Sequence, residues 1–257
     1  MKEYNNWYLS STCASSFATM GIEVDLESID DCRMLGLKHT YDDLEEKACD
    51  DVDDLLNDLD YCDFMTTWEQ NGEWLDCHPG QQCHRGFVIV GKDIQDMRTD
   101  ETMDDFRKRT EALLRKFFGE AVDDYTVRLI QDGYSELDTD ADGSPYAMLG
   151  FAVNVHRLGE IGYGGEIGED VASNLPGLVR EMRDRYQEVD VFMAQEEGSE
   201  EVCIGLSRDY FQPGETLGEF IGRFLGMCRH DGVAIPDDCR LKWLTGFEQC
   251  ECEKADA

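Results

Sequence analysis

From residue 87 onward, apolar runs of five to ten residues alternate with longer stretches in which apolar residues recur every three or four positions. The first kind predicts strands at 87–91 (FVIVG), 125–131, 146–156, 189–194, 202–206 and 239–247. The second predicts helices at 101–118, 168–186 and 215–229, with Pro176 expected to kink or divide the middle one. Before residue 87 the pattern is irregular, with one exception. Across 41–62, Leu44, Ala48, Val52, Leu55, Leu59 and Cys62 form a single helical stripe. Thr40 stands where it can cap that helix, and acids fill its first turn.

These elements predict an α+β fold. Shifting the chain by 114 residues without a gap brings Val88 onto Val202 and Gly91 onto Gly205. The same shift brings Phe106 onto Phe220, Arg109 onto Arg223 and Arg115 onto Arg229. The shared unit is β-α-β, and the agreement points to duplication. The order β-α-β-β-α-β across 87–194 is that of a ferredoxin-like antiparallel sheet with helices on one face. The expected organisation is an acidic N-terminal region at 1–86 with one amphipathic helix, a repeat region at 87–247, and a mobile polar tail at 248–257. A division of the repeat region into 87–194 and 195–247 is the alternative.

Charge changes this picture more than composition does. Hydrophobic residues make up 41% of the 257, as in ordinary globular proteins, but 57 acids stand against 23 Lys and Arg, a net charge of -34. Such a chain repels nucleic acid and anionic membrane and attracts basic surfaces. No apolar run approaches a membrane span, and the N-terminus does not read as a signal peptide. The 11 cysteines, odd in number and partly within apolar runs, read as reduced thiols of a cytoplasmic protein.

The acid is densest on the predicted 41–62 helix, where Asp42, Glu46, Asp50, Asp54 and Asp58 form an i, i+4 ladder. Asp43, Glu45, Asp51 and Asp53 flank it. Like charges at this spacing cost a few tenths of a kcal/mol per pair, so a plain solvated face would do better with interspersed lysines. A 22-residue helix is about 33 Å long, and duplex DNA of that length carries roughly 19 charges. Ten carboxylates in this stretch approach that density. Those nine residues are therefore the expected partner-binding surface for a basic DNA- or RNA-binding protein or complex. The expected function is a nucleic-acid-mimicking inhibitor of the kind that phages and mobile elements direct against restriction or CRISPR systems, acting in the host cytoplasm. The alternative is a cytoplasmic protein of an acidic or halophilic proteome, an enzyme among the options, on a ferredoxin-like scaffold.

Motifs that carry chemistry are incomplete. Asp138, Asp140, Asp142 and Gly143 open like a calcium loop, but the closing twelfth position is Leu149. Cys77-His78 and Cys83-His84 offer soft ligands, at a spacing that suits zinc poorly. The glycine-rich stretch 158–168 carries Glu160 and Glu166 where a phosphate loop needs a cation. No nucleophile motif occurs. The expectation is a binding protein, not an enzyme, with no metal and no cofactor.

Overall fold

A computed structural model of the protein describes residues 17–25, 28–35, 73–79, 87–132, 147–164, 175–193 and 200–245. It is α+β, with two four-stranded antiparallel sheets and, among the described residues, four α-helices. The chain divides into two compact units. One comprises Phe17–Arg98 with Met103–Gly133, the other Tyr134–Phe247 with Thr99–Thr102.

The first unit contains β1 (Phe17–Asp25), α1 (Ile29–Met34), β2 (Asp76–Pro79), β3 (Phe87–Asp93), α2 (Met103–Phe118) and β4 (Arg128–Asp132). Its sheet order is β2-β3-β1-β4. The second contains β5 (Ala147–Asn154), α3 (Leu175–Arg185), β6 (Asp190–Met193), β7 (Glu201–Ser207), α4 (Leu217–Asp231) and β8 (Lys242–Thr245). Its order is β6-β7-β5-β8. Among the described residues each unit therefore runs strand, helix, strand, strand, helix, strand, with its third and first strands central.

One expectation is corrected. The β-α-β-β-α-β order read across 87–194 is split, because β3 and β4 lie in one sheet and β5 and β6 in the other. The missing partners of β3 and β4 come from residues 1–86, where β1 and β2 were not anticipated. The central strands are buried along most of their length, as β3 and β5 show, so they lack the alternation that marks a half-exposed strand. Pro176, expected to kink or divide a helix over 168–186, occupies the first turn of α3, where its missing N–H costs nothing; residues 168–174 of that expected helix lie outside the described residues.

From β2 onward, the 114-residue shift also aligns strands and helices of the first unit with those of the second. β3 falls on β7, the 3-10 turn Ile94–Asp96 on Arg208–Tyr210, α2 on α4, and β4 on β8. Asp76 and Asp190 coincide too, each pairing with the glycine (Gly91 or Gly205) of its neighbouring strand. Phe106 and Phe220 are both fully buried. In the second unit Phe220 stacks on Phe211 at 4.0 Å and lies 6.2 Å from Trp243.

Individual interactions repeat as well. The Asp93 amide donates to Asp76 Oδ2 at 2.9 Å, and the Ser207 amide to Asp190 Oδ2 at 3.0 Å. Asp93 Oδ1 accepts from the Gln95 amide, as Ser207 Oγ does from that of Asp209. Arg109 donates to the Asp96 carbonyl at 2.8 Å and Arg223 to that of Tyr210 at 2.6 Å. Their guanidinium carbons sit 5.1 and 5.0 Å from the Phe106 and Phe220 ring centres.

Both sheets also place glycine opposite glycine between their central strands, Gly21 with Gly91 and Gly150 with Gly205. A Cβ on Gly21 would lie 2.1 Å from the Val90 carbonyl oxygen, and one on Gly150 2.2 Å from that of Ile204. The strands could not keep that approach with a larger residue.

The helices follow from ordinary signals. In α2, Phe106, Thr110 and Leu114 form the buried stripe, with Asp104 and Asp105 in the first turn and Arg115 and Lys116 in the last. In α4, Thr216 and Glu219 form a reciprocal capping box, and Gly232 ends the helix at φ 75°.

Candidate functional site

The partner surface expected from the sequence, Asp42, Asp43, Glu45, Glu46, Asp50, Asp51, Asp53, Asp54 and Asp58, lies outside the described residues. So do the 138–142 turn and the Cys83-His84 pair; Cys77 and His78 are backbone positions of β2. In the glycine-rich stretch, residues up to 161 form a 3-10 helix, Val155–Ile161, which Gly162 terminates at φ 89°. No group of three His, Cys, Asp or Glu able to hold a metal ion occurs among the described residues. Of the thiols, Cys203 and Cys228 are buried and Cys239 is half-buried. Burial pushes the Cys228 thiol up to about 12, which removes it as a nucleophile at neutral pH.

The structure brings together a different set of residues. A cavity of about 530 Å³ opens in the first unit, lined by Glu73, Trp74, Lys92, Asp96, Arg98, Arg109, Ala112, Leu113 and Lys116. Three elements build it. β3 supplies Lys92 near its end, the following 3-10 turn supplies Asp96, and Arg98 follows that turn. One side of α2 supplies Arg109, Ala112, Leu113 and Lys116, which recur at three- and four-residue spacing. Glu73 and Trp74 precede β2.

Lys92 is the centre of its electrostatics. The residue is 4% exposed, and its Nζ lies 3.2 Å from Asp76 Oδ2, beside Asp96 Oδ2 and 4.3 Å from the centre of the Trp74 ring. The two carboxylates hold the buried ammonium as an ion-paired cluster. Trp74, by contrast, is 49% exposed. At the rim Lys116 pairs with Glu73, both substantially exposed.

Asp93 borders this cluster. Burial pushes its carboxyl up to about 7; Asp76 and Asp96 add to the rise, while the Gln95 amide and Lys92 oppose it. In the second unit burial likewise raises Asp190, against the pull of the Ser207 amide and Arg183.

Sequence reading missed this cavity because its residues span positions 73 to 116 and form no local motif. One signal was available. Lys92 ends the apolar run FVIVGK, and the 114-residue shift puts it on Leu206. The same shift puts Trp74 on Glu188, Asp96 on Tyr210, Arg98 on Gln212 and Lys116 on His230. Only Arg109, matched by Arg223, belongs to both units.

Comparison with the models of known protein families, with curated proteins and with solved structures yields no match.

Proposed function

We propose that the chain is a pair of duplicated ferredoxin-like units, the first of which carries an acidic insertion that imitates nucleic acid. Through it the protein occupies the basic groove of a DNA- or RNA-binding protein. It acts by binding, not catalysis, in a cytoplasm, and inhibition of a restriction or CRISPR-type nuclease is the activity that fits.

One observation carries this reading. The connection from β1 to β2, residues 26–75, holds 16 acids and 3 Lys or Arg. The corresponding connection from β5 to β6, residues 155–189, holds 7 acids and 4 Lys or Arg. Adaptation to a salty or acidic-proteome solvent acts on both copies of a duplicated unit alike. An excess concentrated in one of the two connections therefore calls for something that touches that connection alone. The spacing of Asp42, Glu46, Asp50, Asp54 and Asp58 supplies what a groove lined by Lys and Arg would accept in place of phosphates.

The test is competition. Proteins retained by the immobilised full chain are challenged with duplex DNA and with salt. Release by both, at DNA concentrations near the partner's own DNA affinity, is the expected result. Retention that neither affects would refute the reading.

A further inference from the structure

We propose that the cavity of the first unit binds a small molecule in which a planar aromatic ring carries a phosphate or carboxylate, the chemistry of a nucleotide. Its lining includes Glu73 and Trp74 at the end of the β1–β2 connection but none of the nine acids of the 42–58 stretch, and it does not depend on the mimicry reading.

The first argument is the lining charge. Lys92, Arg98, Arg109 and Lys116 line the cavity with Glu73 and Asp96, and Asp76 also pairs with Lys92, leaving four cations to three acids inside a chain of net charge -34. Cations are the scarcer charge here by more than two to one, so their convergence on one cavity is not a sampling of the surface.

The second is Lys92. Burying an ammonium is costly unless acceptors satisfy it. At the corresponding place the second unit carries Leu206, 1% exposed, so the fold itself asks for an apolar residue there. Lys92 instead sits 4% exposed on the cavity wall, ion-paired with Asp76 and Asp96 and over the Trp74 ring. A ligand anion would share that ammonium with the two carboxylates.

The third is Trp74. It and Tyr210 are the large exposed hydrophobic side chains among the described residues. Trp74 lines the same cavity, and a ligand ring laid against it would cover apolar area at no cost in polar desolvation. A cavity of about 530 Å³ is within the usual range for small-molecule sites. The Lys116–Glu73 pair at the rim is exposed and weakly held, so an incoming anion can take the carboxylate's place.

The experiment is calorimetric titration of the full chain with AMP, GMP, adenosine, inorganic phosphate and indole-3-carboxylate. The ring-plus-anion site predicts that AMP or GMP binds at least tenfold more tightly than adenosine or phosphate. Binding of indole-3-carboxylate alone would keep the ring-and-anion chemistry and replace the nucleotide by an aromatic acid. Trp74→Leu and Arg98→Ala should each weaken the bound probe at least tenfold. The double variant Lys92→Leu with Asp96→Tyr copies what the second unit already folds with, and should abolish binding while circular dichroism stays unchanged. No binding by any probe, adenosine or phosphate binding as tightly as AMP, or full binding by the double variant would each overturn the proposal.

Discussion

The two units of this protein are built on the same strand order and hold the same small set of interactions, yet they differ in two places. The first unit has a connection of extreme acidity between β1 and β2 and a cationic cavity beside α2; the second has a less acidic connection, and holds Leu206, Tyr210 and Gln212 at the places of Lys92, Asp96 and Arg98. What they share is what the fold needs: paired glycines where central strands approach, an aspartate that caps the end of the third strand, an arginine over a buried phenylalanine. What they do not share is free to serve something else. The second unit thus acts as an internal reference, in which Leu206 shows what the position of Lys92 would hold if packing alone decided.

The comparison breaks first at the core if it is wrong. Phe106→Ala and Phe220→Ala should each cost about 3–5 kcal/mol, because both side chains are fully buried in equivalent helices. Urea denaturation gives the loss, and amide exchange read separately over α2 and α4 assigns it to a unit. A large cost at one position and none at the other would mean the units are not equivalent. Next come the glycines: Gly21→Ala and Gly150→Ala should each cost about 1–3 kcal/mol or more, since the added methyl meets backbone that cannot rotate away. Thermal melts of the two variants should fall together.

A smaller effect sharpens the contrast at Asp93. Its carboxyl ordinarily titrates near 3.8 and is pushed up to about 7 in the folded chain. Between those values the folded chain holds a proton that the unfolded chain has lost, so this group's contribution to stability falls as pH rises from about 4 to about 7. Asp93→Ser, which installs the residue found at position 207, keeps an oxygen for the Gln95 amide and removes the titration. Melting temperatures of variant minus parent should therefore rise across that window and level off above it. A flat difference would contradict the half-buried placement of Asp93 among Asp76, Asp96 and Lys92. The smallest expected effect is at a helix end. Thr216→Ala removes one half of the α4 capping box and should cost about 1 kcal/mol, seen as faster amide exchange in the first turn of α4.

Much of this architecture was legible before any coordinates. The apolar run at 87–91, the helical pattern at 101–118, and the coincidence of Phe106 with Phe220 all mark elements that the structure contains. β1 was not legible because Thr19 and Gly21 interrupt its apolar pattern, although Thr19 is fully buried and Gly21 is required by the approach of Gly91. β2 is four residues long and ends in Pro79, features tolerated only because it is an edge strand. The cavity could not be found locally, since the sheet, not the sequence, brings Trp74 to Lys92. The nine acids expected to form the partner surface lie outside the described residues, so the sequence remains their whole support.

The decisive measurement applies the same charge change to both connections. In one variant Glu46, Asp50 and Asp54 become lysine; in the other Glu166, Glu169 and Asp170 do. Each changes net charge equally, and each is assayed for retention of the protein that duplex DNA displaces from the parent chain. Mimicry by the first connection predicts that the first variant loses binding by orders of magnitude while the second stays within about threefold of the parent. Equal losses would show that only total charge matters, and an unchanged first variant would show that the acidic connection touches no partner.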